Sequence, residues 1–417
     1  MWSRAFGPAA LAMFVAFVHV GAGCSSEARG GFDEGAPTGA TDEDPSGNFG
    51  DDAPAKAEVQ GHLRGVVRAP NGTMPIAGAV LYLTKDKPEP APETVYCDAC
   101  VHLSAETPYA LSDASGAFDL AATTLGAQYL VVQKGGFRRV REIYVSKGDS
   151  ELPDTLTTLP PKTDRAAGDE IPRMTVVHGQ YDEIEASLEK LGIDPSAIEV
   201  VQSALVGVAA RSFLANGAAV NGRHIVFLPC GDFTQPPPNL DLSGDAAIED
   251  NLREFVRAGG RLYVTDWHYD FIARTFPGYV TWSGGGNAPC SGCQRASYDA
   301  AATVDDPGLA AWMGAQDLAT FTVQKNYTSI SAVHSVETTG SSGEPKTVTP
   351  RVWVSSAQQG TQRPATVSFE QGCGRVLFST YHTEPFSNDL TPQERALLGV
   401  LLEASVCNDS PTGVVVK

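Results

Sequence analysis

The chain has 417 residues, 42% of them hydrophobic, enough to build two core-bearing domains. Its 49 acidic residues against 30 lysines and arginines give a formal net charge of −19. That balance excludes a nucleic-acid partner and electrostatic docking on anionic lipid headgroups, both of which demand a basic surface.

The first two dozen residues read as an export signal. Arg4 and the amino terminus supply positive charge, and Pro8 to Val20 form an apolar run too short to span a bilayer. Small residues then lead to a cysteine in Gly21-Ala22-Gly23-Cys24-Ser25-Ser26. This arrangement resembles a bacterial lipoprotein signal (residues 1–24), although Gly21 stands where that motif usually carries a leucine-like residue. The resemblance implies that Cys24 becomes the lipidated first residue of the mature protein. The alternative is an ordinary secretory signal cut after Ala22, which would release the chain. No later apolar run reaches membrane-helix length, so the expected membrane partner is reached through acyl chains on Cys24. The expected location is the cell envelope, on the outer membrane or periplasmic face.

From residue 25 to 60 nine acids and two bases are spread among Gly, Pro, Ala and Thr. Such a segment cannot bury enough apolar area to offset its ordering entropy, so a disordered acidic tether is expected. Residues 61–160 carry short alternating runs between turn formers, with no helical period. The pattern predicts a small antiparallel β-sandwich. The order Gly65-x-Val67, Pro75-Ile76-Ala77-Gly78-Ala79-Val80, Ser112-Asp113-Ala114-Ser115-Gly116-Ala117-Phe118 and Val132-Gln133-Lys134-Gly135-Gly136-Phe137 resembles the carboxypeptidase regulatory-like, transthyretin-like sandwich. The resemblance implies an accessory spacer or binding module with no catalytic constellation.

The eight cysteines suit an oxidising compartment. Cys97 with Cys100, and Cys290 with Cys293, share C-x-x-C spacing among turn formers in long loops. Neither pair opens a helix after a strand, as redox chemistry requires. Structural disulfides rank first, a zinc site built from the four second. Cys373 and Cys407 are plausible partners, leaving Cys230 as a buried odd thiol.

From residue 169 to 408 strand and helix alternate. Met174 to His178, Ile198 to Val201, His224 to Pro229 and Arg261 to Thr265 read as strands. Asp182 to Leu191, Ala246 to Arg257 and Pro392 to Ser405 read as helices, and Thr349 to Ser355, Ala365 to Phe369 and Gly374 to Thr380 as further strands. The expected fold is therefore multidomain: the sandwich, then a doubly wound, flavodoxin-like α/β domain, then a flexible tail over 409–417.

Ligands of such sheets meet the loops at the carboxyl ends of the strands. There stand Cys230-Gly231-Asp232, Asp266-Trp267-His268-Tyr269-Asp270 and Tyr381-His382-Thr383-Glu384-Pro385. The last resembles the closing His-x-Glu segment of class I glutamine amidotransferase-like domains. By that resemblance His382 matches the catalytic histidine and Glu384 its orienting carboxylate. The family's cysteine nucleophile, however, is matched by Asp266, which implies loss of the inherited chemistry. Asp266 also reads as an ordinary helix N-cap, and that is the expectation adopted; a metal on Asp266, His268, Asp270, Asp232 and His382 ranks below it. No cofactor is expected. The reading that follows is a non-catalytic binding or scaffolding module for an envelope protein or small ligand, with Asp232, Asp266, His268 and His382 as candidate ligand residues. The alternative is a hydrolase acting through Asp266 and His382, with or without a metal.

Overall fold

The computed structural model describes residues 58–97, 101–104, 107–202, 206–231, 242–284, 292–340, 343–358, 360–383, 388–404 and 414–416. The expected signal with Cys24, nearly all of the expected acidic tether, and Cys100, Asp232, Cys290, Glu384 and Cys407 lie outside these residues. The protein is multidomain, with several sheets and a mixed principal sheet. Among the described residues no helix is long and apolar enough to cross a membrane.

The first unit places two sheets around one core. A three-stranded sheet orders Ala117–Ala122, Gly61–Val66 and Ser150–Glu151; a five-stranded sheet orders Tyr109–Leu111, Val80–Thr84, Gly126–Lys134, Phe137–Val145 and Asp169–Glu170. Period-two alternation points Leu63, Phe118, Leu120, Leu81, Leu83, Leu130 and Val132 into the shared interior. The opposite face of the larger sheet buries Val80, Tyr82, Val131 and Val140 against Val101 and Leu103. The last strand, Asp169–Glu170, is held by ion pairs from Arg138, Arg139 and Arg141, so this unit extends past residue 160. Val414–Val416, in the segment expected to be a flexible tail, pairs antiparallel with Val101–Leu103.

The second unit is built on a nine-stranded sheet. Met174–Val177, Ile198–Val201, Ile225–Leu228, Arg261–Thr265 and Gly374–Ser379 run parallel. Helices Ile184–Lys190, Val206–Leu214, Gly217–Asn221 and Ala246–Arg257 fill the connections. Ile225–Leu228 is buried throughout, as a strand covered on both faces must be. Ala246–Arg257 turns Ile248, Leu252, Phe255 and Val256 inward, and Asp245 caps it by accepting from the Ala247 amide at 3.1 Å.

Beyond Gly374–Ser379 the sheet continues antiparallel through Thr361–Gln371, Arg351–Gln358, Cys293–Val304 and Thr322–Thr328. This wing enlarges the parallel sheet that alternation alone predicts, and it places Cys293, expected in a long loop, at the start of a strand.

The two units share core residues: Met74, Ile76, Leu309 and Trp312 belong to one cluster, and the Trp312 indole donates to the Pro75 carbonyl at 2.9 Å. Between strand Val80–Thr84 and strand Val101–Leu103, residues 91–97 form a strap that crosses the amino ends of the parallel strands. The Val95 amide donates to the Asn221 carbonyl at 2.9 Å. His224 accepts from the Arg173 amide on Nδ1 at 2.9 Å, so its Nε2–H faces the Pro92 and Thr94 carbonyls, each at 3.1 Å.

The strap ends in a disulfide between Cys97 and Cys373, Cα atoms 5.3 Å apart. This corrects both pairings expected for these residues, Cys97 with Cys100 and Cys373 with Cys407. The physical reason is that the strap lays Cys97 beside the Gly372–Cys373 turn, within bridging reach. Cys293 is disulfide-bonded as well.

The strap contact sets a pH dependence. Burial, then the nearby Arg261 and Arg173 charges, hold the His224 imidazole below its ordinary value. The folded state therefore refuses a proton that the unfolded chain accepts. Its contribution is complete above the unfolded pKa of about 6.5 and is lost as pH falls from there toward the folded value. A thermal-melt series from pH 7.5 to pH 5 should fall less steeply for His224→Gln than for wild type; equal slopes would remove His224 from this role.

Candidate functional site

The carboxyl ends of four neighbouring parallel strands deliver Asp182, Cys230, Asp266 and His382 to one place. Asp266 follows strand Arg261–Thr265 on a sharp turn with φ of +44°, the left-handed region that aspartate tolerates better than most residues. The turn passes into a 3₁₀ turn over Asp266–His268 and helix Tyr269–Thr275. The capping expectation fails: Thr265 occupies the N-cap of that turn, and the Asp266 side chain points elsewhere. Its Oδ2 lies 2.7 Å from His382 Nε2, and the Tyr327 amide donates to both carboxylate oxygens at 3.1 and 3.2 Å. Neither side chain is open to solvent, at 0% for Asp266 and 5% for His382. Burial pushes the Asp266 carboxyl upward, while the His382 ring and the Tyr327 amide oppose that rise.

Asp182 organises the surroundings. Its fully buried carboxylate accepts from the Thr265 hydroxyl at 2.7 Å and from the Thr383 amide at 3.0 Å, with the Thr383 hydroxyl also bonded to it. Thr265 Oγ1 in turn accepts from the Cys230 amide at 2.7 Å. One carboxylate thus ties the turn after Met174–Val177 to those after three other strands. Periodicity alone marks Asp182 only as the start of a helix. The signal that could have found it is its position just past a strand end, opposite two other strand-end carboxyl and imidazole groups.

Strand Thr322–Thr328 lies over the cluster. Besides the Tyr327 amide, Asn326 accepts from the Thr380 hydroxyl at 2.7 Å. The Tyr327 ring stacks on His382 with centroids 6.2 Å apart and meets Trp267 edge-on at 5.6 Å. Sequence reasoning misses this cover, because Thr322–Thr328 carries no motif of its own.

Cys230 is free and buried. Its sulfur, an Asp266 oxygen and a His382 nitrogen lie within 4.8 Å of one another. Desolvation, then the Asp266 charge, push the thiol well above its ordinary value, and only the Trp267 amide opposes them. A thiol in that setting stays protonated and is a poor nucleophile. The peptide bearing Cys230 should therefore take up iodoacetamide only after denaturation. Native labelling of that peptide within minutes would contradict the burial.

His268 is buried against Phe271, with ring centroids 5.5 Å apart, and does not join this trio of donor atoms. Asp232 and Glu384 lie outside the described residues. The arrangement can hold a proton between Asp266 and His382, and its sulfur, carboxylate and imidazole donors are of the types found in zinc sites. The closed cover leaves its buried oxygens and nitrogens facing protein.

No family model and no curated protein matches this chain. Among solved structures it is weakly similar to a ThuA-like protein from Bacteroides uniformis ATCC 8492, at 11% identity and a TM-score of 0.32, over 55% of this chain and 90% of that one. It is also similar to a cold-adapted β-galactosidase from Rahnella sp. R3, at 13% identity and a TM-score of 0.33, over 58% of this chain and 32% of that one. Likenesses of this size carry no argument about the fold, activity or substrate of this chain.

Proposed function

We propose that this chain is an exported cell-envelope lipoprotein, anchored through Cys24, whose α/β domain is a non-catalytic binding or scaffolding module. The observation that carries this reading is the fate of the nucleophile position. The strands Met174–Val177, Ile198–Val201, Ile225–Leu228, Arg261–Thr265 and Gly374–Ser379, numbered along the chain, lie in the sheet in the order 2-1-3-4-5. By the resemblance to amidotransferase-like domains, the turn after the fourth of these strands, Arg261–Thr265, is where that family would present its thiol, at the ligand-facing carboxyl ends of the sheet. In this protein that turn presents Asp266, buried and bonded to His382 and a covering strand. A carboxylate so held lacks both the sulfur and the access that attack on a carboxamide needs. The first unit is read as a carboxypeptidase regulatory-like sandwich that spaces and braces this domain.

A hydrolase panel on wild type and His382→Ala tests the reading. Equal rates at background level are expected. A wild-type rate about a hundredfold above the variant would make His382 a general base and overturn it. One observation favours a second reading, a hydrolase with a metal: the grouping of the Cys230, Asp266 and His382 donor atoms. Near-stoichiometric zinc in the purified protein would raise that reading above the first.

A further inference from the structure

A ligand-sized opening lies at the other end of the sheet. A cavity of about 430 Å³ opens between the strap, the segment joining the two units, and the amino ends of the strands that begin at Ile225 and Arg261. We infer that this cavity binds a small organic anion, a carboxylate or phosphate carried on an apolar body.

Charge is the first argument. Arg165, Arg173 and Arg261 line the cavity, against Glu93 and Glu170. Both carboxylates are already engaged. Glu170 takes Arg138 and accepts the Ala91 amide at 3.0 Å; Glu93 accepts from Arg165 at 2.7 Å. Arg173 donates to the Glu93 carbonyl at 3.3 Å and makes no ion pair among the described residues. Arg261 donates to the Gly259 carbonyl at 2.9 Å, and burial together with the Arg375 charge brings it down to about 10. The result is a local cationic surplus in a chain whose net charge is −19. Such a pocket concentrates anions, and planar guanidinium forks match carboxylate and phosphate oxygens.

Shape is the second argument. Ile171, Pro172 and the Tyr96 ring supply an apolar wall beside the arginines. A volume of this size with a few convergent polar groups matches ordinary small-molecule sites. The inference concerns the amino end of the sheet and stands whether or not the Asp266 site is silent.

Isothermal titration of the mature chain with phenyl phosphate, benzoate and inorganic phosphate tests it. Saturable binding of phenyl phosphate or benzoate is expected, at least about fivefold tighter than inorganic phosphate because the apolar wall contributes. The Arg173→Gln variant should weaken it by about tenfold or more with an unchanged melting midpoint. Arg165→Gln, also at an exposed position of the cavity lining, supplies the same readout if the first variant melts early. Whichever of phenyl phosphate and benzoate binds tighter assigns the head group. No saturable heat from any probe up to about 10 mM, or unchanged affinity in both variants, would overturn the inference.

Discussion

Replacing Asp266 with alanine should destabilise the protein by about 3–5 kcal/mol, the scale seen when one partner of a buried pair is removed. Two causes combine. Alanine leaves the Tyr327 amide and the His382 ring without their acceptor in a dry site, and each orphaned buried group costs about 1–3 kcal/mol. The backbone at φ +44° also disfavours alanine by about 1–2 kcal/mol, a strain that glycine does not feel. Asp266→Gly should therefore be the milder of the two, their difference being the relief of that strain less the larger entropy that glycine loses on folding. Asp266→Asn keeps the shape and the tolerance of this conformation, so it should cost least. Urea midpoints at constant m-value measure all three. Because Asp266 and His382 share one hydrogen bond, the double variant with His382→Ala should cost less than the sum of the single changes. A loss below about 1 kcal/mol for Asp266→Ala would show that the pair is no structural strut, and would return it to consideration as chemistry.

The parallel half of the sheet is legible in the sequence because its physics is local. An apolar run such as Ile225–Leu228 is what a strand covered on both faces needs, and helix Ala246–Arg257 falls on the residues its period marks. The antiparallel wing is harder to read. Cys293–Val304 contains Ala300, Ala301 and Ala302, whose weak strand preference hides a strand that pairing on two sides stabilises. Asp266 stands at the strand end where the pattern puts it, but its work is different. An aspartate opening a helix looks like a cap, and only the tertiary placement of His382 and Tyr327 shows that its oxygens are taken elsewhere. Asp182 escapes for the same reason, since its partners Thr265 and Thr383 are distant in sequence. The cysteine pairing is beyond reach, because C-x-x-C spacing advertises a local bridge while the strap carries Cys97 to a turn 276 residues away.

That long-range bridge carries the other large expected effect. In the chain-entropy view, closing a loop of this length restricts the unfolded ensemble by about 5 kcal/mol, and native bridges commonly deliver about 2–5 kcal/mol. The double variant Cys97→Ser with Cys373→Ser should thus lose about 3–5 kcal/mol in urea unfolding under non-oxidising conditions, and wild type treated with reductant should move toward it. The loss should also have a location. Cys97 anchors the end of the strap, whose remaining ties to the α/β domain include the Val95 amide and the His224 ring. Without the anchor, the Val95 amide should exchange with deuterium far sooner than amides of strand Ile225–Leu228, because opening the strap no longer requires breaking a covalent bond. Uniform acceleration across both would mean that the bridge acts only on the unfolded chain. Selective acceleration at the strap would mean that it also holds one wall of the arginine-lined cavity in place, so that an oxidising environment would be a condition for forming that cavity.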